Sequence, residues 1–217
     1  MMKPLVLKNA RIIDPSRNLD EVGTIIVGHD GMILASGADA QNQGAPEGAE
    51  IRDCRGLTAV PGLVDARVFV GEPGSEHRET IASASRAAAA GGITSFIMMP
   101  ETDPVIDDIA LVEFVKKTAR DTASVNVYPA AALTKGMTSG EMTEMGLLQM
   151  AGAVAFTNGR HGLNDTQVLR RAMTYAREFD AVIALETREK YLAANGVMNE
   201  GLLASWLGLG GIPRETE

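Results

Sequence analysis

The feature that most constrains the fold is a regular alternation of strand-like and helix-like segments, which begins after Gly62 and continues to the end of the chain. The strand-like runs are apolar and span residues 63–70, 94–100, 125–133, 153–157 and 181–185. Helical patterns follow them at about 79–90, 107–120, from a capping-box pattern at 138–141, at 164–179 and at 199–207. Strands that alternate with helices pair in parallel through right-handed crossovers. The sequence therefore predicts an α/β fold with about five β/α units.

Two architectures fit this alternation, a doubly wound open sheet and a (β/α)8 barrel. The patterns of nucleotide-binding open sheets, Gly-x-Gly-x-x-Gly and Gly-x-x-x-x-Gly-Lys, follow none of the predicted strands. A barrel takes about 250 residues, whereas about 155 residues follow Gly62. If the fold is a barrel, only its first part is present. We then expect either that the natural chain is longer or that another copy covers the open sheet edges.

The first 60 residues have a different character. Short apolar runs separated by turns indicate strands at 5–7, 10–13, 24–27, 32–35, 50–54 and 57–60. Asp30 and Gly31 lie between two of these runs and predict a hairpin, because glycine readily adopts positive φ. We predict a small β domain over residues 1–60 and a β/α domain over residues 61–217.

Composition excludes several classes of partner. The formal net charge is −8, and no run of lysine or arginine marks a nucleic-acid-binding face. The single cysteine, Cys54, cannot form a disulfide within the chain. The first residues lack the apolar core of a signal peptide, and no apolar run reaches the roughly 20 residues of a membrane span. We therefore predict a cytoplasmic protein that binds neither nucleic acid nor membranes.

Six segments, in order along the chain, carry a resemblance to a known family. They are VPGLVDARVFVGEPG (60–74), GGIT (91–94), MPETDP (99–104), LTKG (133–136), AFTNG (155–159) and GVMNEG (196–201). Together they resemble the dihydroorotase branch of the amidohydrolase superfamily. The resemblance implies an N-terminal β-sandwich domain beside a TIM (β/α)8 barrel, of which about five units are present. It also implies a zinc-dependent enzyme that cyclises N-carbamoyl-aspartate to dihydroorotate in pyrimidine biosynthesis.

The family's metal ligands are replaced in this chain. The family's first barrel strand ends in Asp-x-His-x-His, and the positions of the two histidines hold Arg67 and Phe69. Its bridging aspartate corresponds to Asn158, and the histidine after its fifth strand corresponds to Glu186. Arginine and phenylalanine have no lone pair to give a metal, and asparagine is neutral. We therefore predict no zinc and no other cofactor.

The family's substrate-binding positions are also replaced. Its carboxylate-binding arginine corresponds to Gly71, and its substrate-binding asparagine corresponds to Glu101, which would repel an anion. Residues retained from the same motifs have roles in turns or packing, and they are Pro61, Gly62, Asp65, Pro73, Gly74, Pro100, Thr102 and Pro104. We predict that no catalytic, metal or substrate site is intact. We also predict that Arg67 takes the place of the metal and pairs with Glu186, Glu101 or both.

Two functions are consistent with these residues. The first is that of a catalytically inactive dihydroorotase-like protein, a pseudoenzyme with a scaffold role, whose partner is aspartate transcarbamoylase or a second copy of itself. The alternative is an active dihydroorotase, or a related cyclic amidohydrolase, with a rebuilt metal site that uses His161, Glu101 and Glu186. His161 and His77 have charged or glycine neighbours, a context typical of surface residues.

Overall fold

A computed structural model of the chain describes residues 2–138, 140–163 and 165–216. The chain divides after Gly62 into two compact units. The first unit is built on one sheet, whose strands are β1 (Leu5–Asp14), β2 (Leu19–Val27), β3 (Ile33–Gly37), β4 (Glu50–Asp53) and β5 (Thr58–Ala59). The sheet order is β3-β2-β1-β4, and β5 also pairs with β1. Strand β2 is antiparallel to β1 and β3, whereas β4 and β5 run parallel to β1.

The strand pattern of this unit differs in part from the prediction. Two short runs, 5–7 and 10–13, form the single strand β1, and its register shifts between Leu7 and Ala10. The predicted hairpin joins β2 to β3, with Gly31 at φ +81° in its turn. The part of this unit that the structure describes contains one sheet, so the two-layered sandwich stays a prediction.

The second unit is built on a parallel sheet with helices between its strands. The strands are β6 (Leu63–Val68), β7 (Ile93–Met98), β8 (Asn126–Ala132) and β9 (Ala155–Thr157), in the order β6-β7-β8-β9. The intervening helices are α1 (Ile81–Ala90), α2 (Ile109–Thr122) and α3 (Met145–Ala151), and α4 (Thr166–Ala176) follows β9. Neighbouring strands are parallel throughout. The parallel β/α arrangement predicted from the alternation is thus present.

The core of this unit lies between the sheet and its helices. Phe96 and Met98 on β7 are fully buried, as are Val112 and Val115 on α2. These two valines lie three residues apart, on one face of the helix. Helix α2 begins after Asp108, whose side chain accepts a hydrogen bond from the backbone N–H of Ala110. The capping aspartate and the apolar stripe together explain why this segment is helical.

Two predicted elements are wrong. The capping-box pattern at 138–141 does not start a helix. Thr134 forms a β-bridge with Met142 and α3 begins only at Met145, while Ser139 lies outside the described residues. The run at 181–185 is not a full strand, since its recorded pairing is a single parallel bridge from Phe156 to Ile183. The sheet therefore has four strands and one bridged segment in the part of the chain that is described.

The last segment of the chain contains only short elements. They are α5 (Lys190–Ala193), β10 (Met198–Asn199), α6 (Leu202–Leu207) and β11 (Gly211–Ile212), with β10 and β11 paired in parallel. The predicted helix at 199–207 is thus shorter than expected, and four of its apolar side chains are exposed: Leu202, Leu203, Trp206 and Leu207. Among the described residues, no helix has the length and apolar character needed to cross a membrane.

Candidate functional site

The candidate site lies at the carboxyl ends of the parallel strands, where ligand sites form in folds of this kind. A depression of about 450 Å³ there is lined by Arg67, Phe69, Arg78, Met99, Glu101, Arg160 and Glu186. Four of these residues are positions singled out in the sequence: Arg67, Phe69, Glu101 and Glu186. Gly71 lines an adjoining depression of about 280 Å³. The structure therefore brings five of the six substituted positions to one edge of the sheet.

Arg67 and Glu186 form an ion pair across this edge. The Nη2 of Arg67, near the end of β6, donates to Oε2 of Glu186 at 2.9 Å, and 119 residues separate the two in the sequence. The backbone N–H of Arg67 donates to Oδ1 of Asp65, within a stretch where the pairing of β6 with β7 is irregular. The two side chains are 53% and 32% exposed. Because water screens such a pair, it contributes only about 0.5–1 kcal/mol to stability.

Two further arginines lie over the ring of Phe69. The guanidinium carbons of Arg78 and Arg160 lie 5.3 Å and 5.7 Å from the centre of the Phe69 ring. Both distances suit a cation–π contact, which is worth about 0.5–1 kcal/mol at exposed sites. The aromatic ring at this position therefore gathers positive charge into the mouth of the sheet.

Glu101 does not pair with Arg67, contrary to one of the predicted arrangements. Its Oε1 accepts hydrogen bonds from the backbone N–H of Arg160 at 3.2 Å and from its Nε at 3.1 Å. The Glu101 side chain is only 9% exposed. Gly159 makes this approach possible, because a Cβ there would overlap the Glu101 carboxyl group. Glu101 thus holds the loop after β9 through its hydrogen bonds with Arg160.

Asn158 is buried, and both its oxygen and its nitrogen form hydrogen bonds. Its Oδ1 accepts from the backbone N–H groups of Leu133 and Thr134, each at 3.2 Å, and its Nδ2 donates to Oγ1 of Thr134 at 2.9 Å. The residue is 1% exposed. A buried amide with both ends satisfied stabilises the junction of β8 and β9. In this arrangement the side chain does not face the depression.

No side chain can be added at Gly71 without displacing backbone. The residue is buried, and its carbonyl oxygen accepts a hydrogen bond from the N–H of Ser75 at 2.5 Å. A Cβ at this position would overlap the carbonyl oxygen of Ser75 and lie 3.1 Å from that of Glu79. Position 71, which the resemblance aligns with a substrate-binding arginine, is therefore closed to a side chain by the backbone.

The side chains at this edge do not fit a zinc ion. Zinc is bound in proteins by three or four groups from histidine, cysteine and carboxylates. Among the described residues no three such side chains converge. Glu186 and Glu101 are each engaged by an arginine. His161 lines the adjoining depression of about 280 Å³. His77 lines neither that depression nor the one around Arg67.

The loop after β8 forms one wall of the site. The Nζ of Lys135 lies 2.6 Å from Oε1 of Glu141, and this hydrogen-bonded carboxylate raises the pKa of Lys135 above its usual 10.5. The backbone N–H of Gly136 donates to Oδ2 of Asp107 at 2.7 Å. These two contacts hold the loop in which Met137 lines the adjoining depression.

Sequence reasoning missed several of the cations at this edge. Arg78, Arg160, Arg188 and Lys190 all line depressions there. One available signal was their place in the chain, since each follows a predicted strand within ten residues or so. The pairing of Arg160 with Glu101 spans 59 residues, so no local pattern indicates it.

The family profile and the curated relatives that match this chain indicate the same family. A family profile described as Dihydro-orotase-like matches residues 56–217. The dihydroorotase of Solibacter usitatus is 41% identical over 214 residues, covering 99% of this chain and 49% of that protein. The dihydroorotase-like protein of Pseudomonas aeruginosa is 42% identical over 214 residues, covering 97% of this chain and 49% of that protein. The chain thus spans about half the length of the curated relatives it matches.

Solved structures agree in fold. The L-hydantoinase (dihydropyrimidinase) of Arthrobacter aurescens matches with a TM-score of 0.74 at 23% identity, over 88% of this chain and 42% of that one. A dihydroorotase crystal structure matches with a TM-score of 0.56 at 12% identity, over 85% of this chain and 51% of that one. At these identities the likeness concerns the fold alone.

Proposed function

Because this chain belongs to the family of dihydroorotase-like proteins, we propose that it is a non-catalytic member with a scaffold role in pyrimidine biosynthesis. The observation that carries the proposal is the ion pair between Arg67 and Glu186, 2.9 Å apart. By resemblance, both residues stand at positions of the family's metal ligands. A permanent cation that donates to the carboxylate at 2.9 Å occupies that place, and its positive charge opposes the binding of a metal cation there.

The other substitutions support the same proposal. Asn158 and Glu101 form hydrogen bonds within the protein, and backbone fills the space beside Gly71. We propose that these three positions therefore bind neither a metal nor a substrate. These changes are mutually supportive, since the arginine that holds Glu101 also lies over Phe69. We propose that the site has been rebuilt as a structural cluster of ion pairs and buried hydrogen bonds.

In fold, we propose that the parallel sheet is the first part of a (β/α)8 barrel and that the N-terminal sheet is one layer of a β-sandwich. Exposed apolar residues support both the incomplete barrel and the single layer of a sandwich. Leu63 and Val64 on the edge strand β6 are 58% and 67% exposed, and in the first unit Ile33 and Leu34 are similarly exposed. Apolar surface of this kind is usually covered by further chain or by a partner.

For the partner, we propose aspartate transcarbamoylase, with self-association as the competing arrangement. The exposed apolar side chains of α6 support a role in contacts between proteins, because contiguous apolar patches mark interaction surfaces. Trp206 is 76% exposed and Leu202 is 66% exposed, one helical turn away. Tryptophan is also the residue type most enriched at the energetic centres of interfaces.

The scaffold role is tested by sedimentation velocity of the protein mixed with the aspartate transcarbamoylase of the same organism. The expected result is a joint boundary that is weakened by Leu202→Ser combined with Trp206→Ser. Met150→Ser is the matched control, since Met150 is an exposed apolar residue on a different helix. Separate boundaries for the two proteins would overturn the proposal that aspartate transcarbamoylase is the partner. A larger species formed by this chain alone would favour self-association.

The alternative is an active dihydroorotase or cyclic amidohydrolase with a rebuilt metal site. It requires His161, Glu101 and Glu186 to gather around an ion, whereas both carboxylates are bound to arginines. Metal-dependent turnover of N-carbamoyl-aspartate distinguishes the two functions, with the Solibacter usitatus dihydroorotase as a positive control. Turnover that rises with added zinc would support the alternative.

A further inference from the structure

A third pocket, which shares Arg160 with the depression around Arg67, carries an unusual concentration of positive charge. It measures about 440 Å³ and is formed by three segments, which follow β8, β9 and the bridged segment at 181–185. Its lining residues are Met137, Thr138, Arg160, His161, Gly162, Arg188, Lys190, Ala193 and Ala194. Three of these carry a permanent positive charge, and no carboxylate is among them. This is the reverse of the chain as a whole, which has a net charge of −8.

The cations of this pocket keep unused hydrogen-bond donors. Arg160 binds Glu101 through its Nε, so both of its Nη groups stay without a protein partner in the described part of the chain. Arg188 and Lys190 form no ion pair with any described residue. Neighbouring carboxylates are occupied elsewhere, since Glu186 binds Arg67 and Glu189 accepts a hydrogen bond from the backbone of α5. Three like charges that line one pocket favour an anion within it.

We propose that this pocket binds a small organic phosphate, a phosphate monoester. At neutral pH a phosphate monoester carries a charge of about −1.5 to −2 and three acceptor oxygens, which suits three cations better than the single charge of a carboxylate. Arginine guanidinium groups bind phosphate through paired N–H donors, and lysine adds a point charge. The ring of His161 also lines the pocket and supplies a further N–H donor.

The apolar part of the lining indicates the rest of the ligand. Met137, Ala193 and Ala194 are apolar and line the same pocket. They suit a compact organic group attached to the phosphate. The pocket uses neither Arg67 nor Phe69, so its ligand binds whether or not the chain is catalytic.

Isothermal titration calorimetry with glycerol 3-phosphate at low, constant ionic strength tests the proposal, with succinate and chloride as comparison anions. We expect one saturable site for glycerol 3-phosphate. Arg188→Gln combined with Lys190→Gln should weaken binding at least tenfold, which corresponds to about 1.4 kcal/mol. Arg170→Gln combined with Arg171→Gln removes the same charge from an exposed face of α4 and should leave binding unchanged.

Three results would overturn the proposal: the absence of a saturable site, equal weakening by the two double variants, and equally tight binding of succinate. Circular dichroism and the urea midpoint without phosphate establish that the variants fold. Arg188→Gln alone provides a milder variant, which should weaken glycerol 3-phosphate binding while changing the net charge by one unit.

Discussion

Replacement of Gly71 by alanine should destabilise the protein, because the added methyl group meets backbone rather than a movable side chain. Its Cβ would overlap the carbonyl oxygen of Ser75 and approach the Ser75 carbonyl carbon to 3.0 Å and the Glu79 carbonyl oxygen to 3.1 Å. The turn is already held by the hydrogen bond from Ser75 to Gly71. Forcing extra volume into a packed site costs about 1–3 kcal/mol. For a domain of this size each kcal/mol lowers Tm by about 2–4 °C, so we expect a loss of roughly 2–12 °C.

Gly44→Ala is the matched control. Nothing lies within 4 Å of a Cβ built at Gly44, and neither Gly44 nor Gly71 has a positive φ. Both changes reduce the freedom of the unfolded chain equally, an effect that stabilises by about 0.4–1 kcal/mol where the native conformation permits it. Urea unfolding followed by circular dichroism measures both free energies. Equal free energies of unfolding for the two variants would refute the claim that backbone closes this position.

Three further predictions concern the cluster and the first unit. A double-mutant cycle of Arg67→Gln and Glu186→Gln should give a coupling energy of about 0.5–1 kcal/mol in urea unfolding, and a value near zero would contradict the pair. Asn158→Ala should cost about 1–3 kcal/mol, since it leaves the buried N–H of Thr134 without an acceptor, whereas the N–H of Leu133 also donates to the carbonyl oxygen of Thr157; an unchanged urea midpoint would show that the amide network is unimportant. Arg11 lowers the pKa of Asp20 below 3.8 through a 2.7 Å hydrogen bond, so the contribution of this pair is present at neutral pH and is lost as the pH falls through that lowered pKa. Arg11→Gln should return the pKa of Asp20 towards 3.8 in an NMR titration, and an unchanged titration curve would exclude Arg11 as the cause.

Periodicity predicted the elements whose apolar pattern is long and strong. The stripe of α2 is an example, since Val112, Val115 and Ala119 are buried as expected. Ile109, at the first position of the helix, is 42% exposed. Boundaries therefore shifted by a few residues while the elements themselves were correct.

Prediction failed where a local pattern competed with contacts distant in the sequence. The capping-box pattern at 138–141 is overridden by the bridge of Thr134 with Met142 and by the pairing of Lys135 with Glu141. The apolar run at 181–185 suggests a strand, yet Val182 is 60% exposed and only Ile183 forms a bridge. Neither outcome can be derived from the segment alone, because both depend on its neighbours.

The candidate site was predicted as a set of positions and one contact, the pairing of Arg67 with Glu186, which was one of the predicted arrangements and is present at 2.9 Å. Resemblance to a family identified Arg67, Phe69 and Glu186 at the edge of the sheet. The choice of Arg160 as the partner of Glu101 depends on the loop geometry around Gly159, which the sequence does not specify. Similarly, the hydrogen bonds of Asn158 join two strands and give no local signal.

The most direct test of the central claim is zinc content in a chimaera of residues 1–217 with the second half of the Solibacter usitatus dihydroorotase, since this chain covers 49% of that protein. The chimaera is compared with a version that carries Arg67→His, Phe69→His, Asn158→Asp and Glu186→His. We predict that, after dialysis against zinc, elemental analysis finds bound metal in the restored version and none above background in the unrestored one. One equivalent of zinc in the unrestored chimaera, lost on addition of a chelator, would contradict the claim that these four residues remove the metal site.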